Sequence, residues 1–244
     1  MVVFVTGGSR GLGAGVVRAS VEAGHDVAFT YHRDKDSADA LVDEVAGKGG
    51  RAVAWQLDVR DPEAVERVAD EVIDLFHDIG AVVSNAGIRR DGLAMNMSDE
   101  DWSAVIDTNL SGAFHVARAF LPNFLAQRNG RFVFVSSIAK DGISGQINYA
   151  ASKAGLLGLS AALAKEYGRK GITSNVVVPG FFDTDMTRDS IGTTVGAFVD
   201  QFSPAGRKGE IPELAQAVLF LTSPGASFVN GQSLGVTGGL DWGP

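Results

Sequence analysis

Runs of apolar, largely β-branched residues alternate with longer amphipathic stretches from one end of the chain to the other. The runs are VVFVT (2–6), DVAFTY (26–31), RAVAWQLDV (51–59), IGAVVSNAG (79–87), GRFVFVSS (130–137), ITSNVVVPG (172–180) and SLGVTGG (233–239). Short strands that are apolar on both sides of the pleat are what a parallel sheet covered on both faces requires. Between them the apolar spacing predicts helices over 11–24, 34–48, 62–77, 99–127, 148–169 and 211–223, several preceded by Asp, Ser or Asn as N-caps. This alternation predicts one doubly wound α/β domain over residues 1–244, a seven-stranded parallel sheet with helices on both faces. One connection breaks the rhythm. Residues 181–210 carry scattered Thr, Asp, Ser and Gly with only short apolar groups, and a connection of that length is expected to act as a substrate lid.

Composition narrows the function classes. At 244 residues, 45% hydrophobic and 20% charged, the chain has ordinary globular composition and enough length for one sizeable core. It has no cysteine, which removes thiol catalysis, disulfides and thiolate metal sites. The histidines His25, His32, His77 and His115 never stand at ligand-like spacing, so no metal site is expected. A net charge of -8 argues against nucleic acid as a partner. Neither a basic leader with a long apolar core nor an apolar run long enough to span a membrane is present, and the expected location is the cytoplasm, away from membranes.

The first strand runs into TGGSRGLG (6–13), placing four glycines between a strand and a helix. Glycines there allow a tight turn and close approach of the backbone to a pyrophosphate, whose charge is favoured by the helix N-terminus. No Gly-Lys-Ser/Thr follows, so a kinase-type phosphate loop is excluded, and a dinucleotide site is expected. Its preference should be legible after the second strand, where an acidic residue would bind a ribose 2′-hydroxyl. The chain instead has Thr30, Tyr31, His32 and Arg33 there, and Arg10 lies in the glycine turn, so NADP(H) is preferred over NAD(H). Asp34 and Asp36 follow and would compete for Arg33.

The spacing Tyr-x-x-x-Lys occurs twice, in YHRDK (31–35) and in YAASK (149–153). Spacing alone does not choose between them. Within a helix, residues i and i+4 share a face, so Lys153 would hold its ammonium near the Tyr149 phenol and lower its pKa, whereas Tyr31 ends a strand ahead of a charged loop.

TGGSRGLG, LDV (57–59), NAG (85–87), Asn109 in DTNL, VSS (135–137), YAASK and PGFFDTDM (179–186) together resemble the short-chain dehydrogenases/reductases, in that family's order and over essentially the whole chain. GIRRDGLAMNMSDEDWSAVIDTNLSGAF, RKGITSNVVVPGF and GQSLGVTGGL are most similar to its 3-oxoacyl-[acyl-carrier-protein] reductases. The resemblance implies a Rossmann fold and catalysis by Asn109, Ser137, Tyr149 and Lys153. Aligning GRFVFVSS puts Ser137 on the family's serine, although it stands twelve residues before Tyr149 and Ser136 thirteen, the family's usual separation. A deletion within AKDGISGQI accounts for the difference, since loops absorb length changes.

The same resemblance implies cofactor contacts from Gly7, Ser9, Arg10, Leu12, Arg33, Asp58, Val59, Asn85, Ala86, Gly87, Tyr149, Lys153, Pro179, Gly180, Phe182 and Thr184. It implies reduction of a β-ketoacyl thioester on an acyl carrier protein by NADPH, in fatty-acid, polyketide or polyene synthesis. Carrier docking falls to Arg128 and Lys170, and a homotetramer is expected, with Phe114, Ala117, Phe120, Leu121, Leu156, Leu159 and Leu163 on the two long helices. An NADP-dependent dehydrogenase of a free alcohol, sugar or cyclic ketone would use the same residues, and a non-catalytic dinucleotide-binding subunit is the rival of another kind. Departures from the reductase pattern at Gly92 and Lys140 bear on chain-length specificity.

Overall fold

The structure, a computed structural model, describes residues 1–187, 197 and 201–240. Among these, seven strands form one sheet: β1 (Val2–Val5), β2 (Asp26–Tyr31), β3 (Ala52–Gln56), β4 (Ile79–Ser84), β5 (Gly130–Val135), β6 (Ile172–Pro179) and β7 (Ser233–Val236). Their order is β3-β2-β1-β4-β5-β6-β7 and every pairing is parallel. The order reverses at β1. The crevice between the loops that leave β1 and β4 is where a doubly wound sheet binds its ligand.

The connections are α1 (Gly11–Glu22), α2 (Lys35–Gly47), α3 (Pro62–Phe76), α4 (Asp99–Ile106), α5 (Gly112–Gln127), α6 (Ile147–Tyr167) and α7 (Ile211–Thr222). One core cluster joins α3, α5 and α6 to one face of the sheet through Val68, Val72, Phe120, Phe124 and Leu156. A second joins α1, α2 and α7 to the other face through Val16, Val17, Leu41, Leu214 and Val218. Strands β1, β4 and β6 are buried throughout, as their unbroken apolar runs predict. The edge strands differ. Three of the four β7 residues are exposed and β3 is half-buried, because an edge strand lacks a neighbour on one side.

Helix boundaries follow their caps. Asp34 accepts from the Ser37 N–H, Asp61 from the Glu63 and Ala64 N–H groups, and Ser98 from the Asp101 N–H. The helix expected over 99–127 is continuous, but residues 107–111 form a π-helical turn between α4 and α5, with Asn109 buried inside it. The lid region is closed at its base by an isolated bridge between Phe182 and Gly209, with the Gly209 N–H donating to the Phe181 carbonyl. The remainder of the expected lid, 188–196 and 198–200, lies outside the described residues.

Candidate active site

The glycine turn closes on itself because side chains are absent from it. A Cβ on Gly13 would stand 2.2 Å from the Gly7 carbonyl oxygen, and one on Gly8 would stand 2.6 Å from Cβ of Phe29. Gly7 and Gly11 adopt φ of 63° and 55°, which disfavours other residues. β4 is stapled to this turn: the Thr6 hydroxyl accepts the Asn85 and Ala86 N–H groups at 3.0 Å, and the Asn85 amide donates to the Thr6 and Gly7 carbonyls at 3.1 and 2.9 Å. The Asn85 amide NH2 is therefore committed to shaping the crevice.

The start of α1 fits a pyrophosphate. Its N-cap, Arg10, makes no side-chain cap bond, and no acidic residue occupies the first turn, whereas α2, α3, α4 and α7 each bring a carboxylate or hydroxyl to theirs. An uncapped, glycine-lined helix start at the switch point is open to an anion. Gly7, Ser9, Leu12, Ala86 and Gly87 border the same crevice through the β1 and β4 loops. Gly180 approaches so near Thr237 that a Cβ would lie 2.8 Å from its Cα, which ties Pro179 and Gly180 to the end of β7. Thr184 lies 3.8 Å from the Cβ position of Gly11, across the crevice. The Phe182 ring is buried against Gly209, so this residue offers the crevice its backbone rather than its ring.

At the end of β2, Arg10 and Arg33 form no ion pair among the described residues. Asp34, the expected competitor for Arg33, instead caps α2 with one oxygen on the Ser37 N–H at 3.0 Å and the other on its hydroxyl at 2.8 Å. Asp58 is clamped by Arg60 at 2.6 Å, with His32 at 3.6 Å from the same oxygen, and the Arg60 hydrogen bonds pull its pKa down to about 2. Val59 is buried behind it.

The structure brings the four expected catalytic residues together at the C-terminal ends of β4 and β5. Asn109, turned inward by the π segment, donates to the Ile88 carbonyl at 3.0 Å and to the Ser152 hydroxyl at 3.1 Å, and accepts the Ile88 N–H at 2.8 Å. A helix with regular spacing would not present that residue to both β4 and α6, and π turns recur where a fold needs such a displacement. Ser152 in turn donates to the Tyr149 carbonyl at 2.8 Å.

The two serines separate clearly. Ser136 is buried and donates to the Lys153 carbonyl at 2.8 Å. Ser137 caps the 3-10 turn Ile138–Asp141, its hydroxyl accepting the Ala139 N–H at 3.1 Å, and it lies close enough to the Tyr149 phenol to oppose the rise of its pKa.

One electrostatic expectation is reversed. Lys153 is buried, donates to the Val135 carbonyl at 2.8 Å and lies 5.6 Å from the centre of the Tyr149 ring. Desolvation lowers its own pKa to about 8. The Tyr149 pKa is raised, first by burial, with Ser137 and Arg89 opposing and Asp91 adding to the rise. Spacing on a helix face does not reveal that the ammonium has a carbonyl to bind and that the phenol is buried.

Beside Tyr149 an open pocket of about 440 Å³ is lined by Leu93, Ile143, Ile147 and Ala150 with backbone of Gly92, Gly142 and Gly145. Arg128 and Lys170 are exposed at the other end of the molecule. Arg128 closes α5 just before β5, and Lys170 precedes β6, the backbones meeting where a Cβ on Gly171 would lie 2.2 Å from the Arg128 carbonyl oxygen. Ser137 follows β5, so six residues of strand, about 20 Å at ~3.3 Å per residue, separate these cations from the site of their own chain.

A glycine cradle at the switch point of a parallel sheet, with Ser, Tyr and Lys side chains gathered beyond the C-terminal ends of the neighbouring strands, defines a nicotinamide-dinucleotide oxidoreductase. Residues 7–241 match the family model described as Enoyl-(Acyl carrier protein) reductase. The chain is 40% identical over 240 residues to the 3-oxoacyl-[acyl-carrier-protein] reductase of Escherichia coli, covering 98% of this chain and 96% of that protein. It is 39% identical to the reductases of the same name from Staphylococcus aureus, over 238 residues, and Synechocystis, over 241 residues, covering 97% and 98% of this chain and 96% of each relative. The chain belongs to the short-chain dehydrogenase/reductase family, as an oxidoreductase of the 3-oxoacyl-[acyl-carrier-protein] reductase type.

Proposed function

We propose that this chain reduces the ketone of a β-ketoacyl thioester carried on an acyl carrier protein, with NADPH as the reductant. The observation that carries the reading is the Ser137 hydroxyl beside a buried Tyr149 phenol, in a chain similar over nearly its whole length to reductases of that name. When bound, NADPH supplies the hydride. Ser137 donates a hydrogen bond to the ketone oxygen and aligns it, and Tyr149 gives that oxygen its proton as charge develops. A phenol with a raised pKa keeps its proton until the oxygen demands it. Lys153 and Asn109 hold the geometry behind the phenol, and their backbone anchors at Val135 and Ile88 tie it to β5 and β4. Arg10 and Arg33, without competing carboxylates within ion-pair distance among the described residues, favour a 2′-phosphate. Fatty-acid synthesis is the setting that the relatives favour.

The assembly belongs to the same proposal. Of the apolar residues expected at subunit contacts, Ala117, Phe120 and Leu156 are buried in the chain's own core, and Phe114 remains exposed on α5. Phe220 on α7, Phe228 and Leu234 on β7 add a second exposed apolar surface beside an open strand edge. Two such faces fit a tetramer of two-fold symmetry. The lid over 181–210, pinned at its base, would cover the pocket beside Tyr149.

The test is turnover of acetoacetyl- and crotonyl-carrier substrates with NADPH and NADH. Consumption of NADPH with the ketone substrate alone is the expected result. Preference for the crotonyl substrate would make the chain an enoyl reductase, and turnover of free cyclic ketones or sugars in preference to both would move it to another branch of the family.

A further inference from the structure

Residues 88–92 leave β4 and cross the head of α6, where they are fastened at several points. Asn109 brackets the Ile88 peptide at 2.8 and 3.0 Å. Asn148, fully buried, donates to the Arg90 carbonyl at 3.0 Å and accepts the Tyr149 N–H at 2.7 Å. The Gly92 N–H donates to the Gly145 carbonyl at 2.8 Å, and Gly92 pairs with Gln146 as an isolated bridge. Arg89 and Asp91 stand between these fastenings, ion-paired at 3.2 Å, and the same Asp91 oxygen accepts from the Gln146 amide at 3.4 Å. The Arg89 side chain keeps only 24% of its surface exposed. Two opposite charges are thus fixed against the helix turn that bears Tyr149.

We propose that Arg89, steadied by Asp91, is a positioning residue that sets the electrostatic environment of the Tyr149 phenol. This deepens the reading of Tyr149 as proton donor and rests on it. Packed against Tyr149 are Val105 from α4, Ala139 and Ile143 after β5, and Ile88, while Arg89 and Asp91 keep 24% and 44% of their side-chain surface exposed, so solvent screens the pair in part. The charged groups around it are few. Lys153, from α6 itself, is held by the Val135 carbonyl. Lys140 and Asp141, on the turn after β5, neutralise each other, and Arg90 pairs with Asp101 of α4 at 3.7 Å. Among the described residues, Arg89 and Asp91 are the charges felt at the phenol, after burial and Ser137, the cation lowering its pKa and the carboxylate raising it.

Because the two charges have opposite signs, they can be told from a merely structural role. The chain has three tyrosines, so tyrosine labelled with 13C at Cζ gives three NMR resonances, and Tyr149→Phe assigns the one of interest. Arg89→Met should raise the Tyr149 titration midpoint, Asp91→Asn should lower it, each by about half a unit or more, and Arg89→Lys should leave it near the unsubstituted value. Shifts of Arg89→Met and Asp91→Asn in the same direction, or an Asp91→Asn resonance that titrates no earlier than the original, would overturn the proposal. The reading beneath it is tested separately by the alkaline limb of kcat/KM for ketone reduction. If the NMR midpoints move as stated and that limb stays in place, the ion pair acts as proposed and Tyr149 is not the proton donor.

Discussion

Tyr31 and Lys35 have the same separation as Tyr149 and Lys153, and both tyrosines are buried, but the two pairs are built differently. Tyr31 closes β2, the chain then turns through His32 and Arg33, and Asp34 caps α2 before Lys35 begins it, so no helix face aligns the phenol with the ammonium. Lys35 is exposed and finds a partner one turn along its own helix in Asp39, which raises its pKa. Tyr149 and Lys153 lie within one helix and both are buried, and the lysine, with a carbonyl for its partner, has its pKa lowered. A four-residue spacing fixes geometry only inside a helix, and burial decides whether that geometry becomes chemistry. On the proposed function, the first region would meet the dinucleotide's adenosine end and the second its reacting end.

The comparison breaks most sharply at the phenols. Tyr149→Phe should lower kcat/KM by a factor of roughly 10² to 10⁴, the range for a lost general acid, with NADPH affinity nearly unchanged. Tyr31→Phe, in the core of the other face, should leave turnover near the original. Equal losses in the two variants, measured with the same substrate, would mean that the second pair is not the chemical one.

The lysines should differ in whether they cost stability. Lys153 titrates at about 8 when folded against an ordinary value of 10.5, so between those values the unfolded chain binds more protons and stability rises with pH. Below pH 8 the folded state bears the full cost of the buried ammonium. Lys153→Met should therefore abolish turnover yet raise stability at pH 7 by on the order of 1–3 kcal/mol, less than the whole titration cost because the Val135 carbonyl loses its donor. The gain should fade as pH approaches 10.5. Lys35→Met should show neither effect, and thermal melts of both variants at pH 7 and pH 10 make the check.

Arg33 lies between Tyr31 and Lys35 and puts the first region to use. If that region reads the cofactor, Arg33→Ala should weaken NADPH binding about tenfold, leave NADH binding unchanged and spare kcat, as expected for loss of a charge-assisted phosphate contact. Equal affinities for the two cofactors in the unsubstituted chain, measured by fluorescence titration, would remove the assignment.

Much of this was legible before any coordinate. Every expected strand and helix among the described residues forms within a few residues of its predicted ends, because unbroken apolar runs and Asp, Ser and Pro at helix starts are local signals. The glycine cradle was legible for the same reason. Asn109 is a poor helix residue on propensity alone, but its place in the π turn goes with bonds to Ile88 and Ser152, 21 and 43 residues away in sequence. Ser136 and Ser137 are adjacent and alike in sequence, and the long-range bond from Ser136 to Lys153 separates them. Arg89 was missed altogether. Its only signal was a pair of arginines directly after NAGI, and only the strapping of residues 88–92 onto α6 gives the first of them a target.

The smallest effects concern the cations far from both tyrosine pairs. Carrier proteins are acidic, and a chain of net charge -8 needs a local basic surface to receive one. Arg128 and Lys170 adjoin each other with Arg169 and Arg131 nearby, but β5 and β6 lead away from them to Ser137 and Pro179. A carrier held there faces the wrong edge of its own subunit's sheet, so docking at these residues serves catalysis only if an assembly brings another subunit's pocket alongside. Charge reversal of both residues should raise KM for a carrier-bound substrate several-fold, more steeply at low salt, and leave a short carrier-free thioester unaffected. Equal effects on both substrates would leave the cations only their interaction with helix C-termini, worth ~0.3–1 kcal/mol. Co-assembly then separates the geometries: chains carrying Tyr149→Phe retain the cations, and charge-reversed chains retain the phenol. Docking between subunits predicts that mixed assemblies recover a low KM for the carrier substrate. Docking within a subunit predicts the charge-reversed value and no better, because each intact site would then have only its own altered surface to receive the carrier.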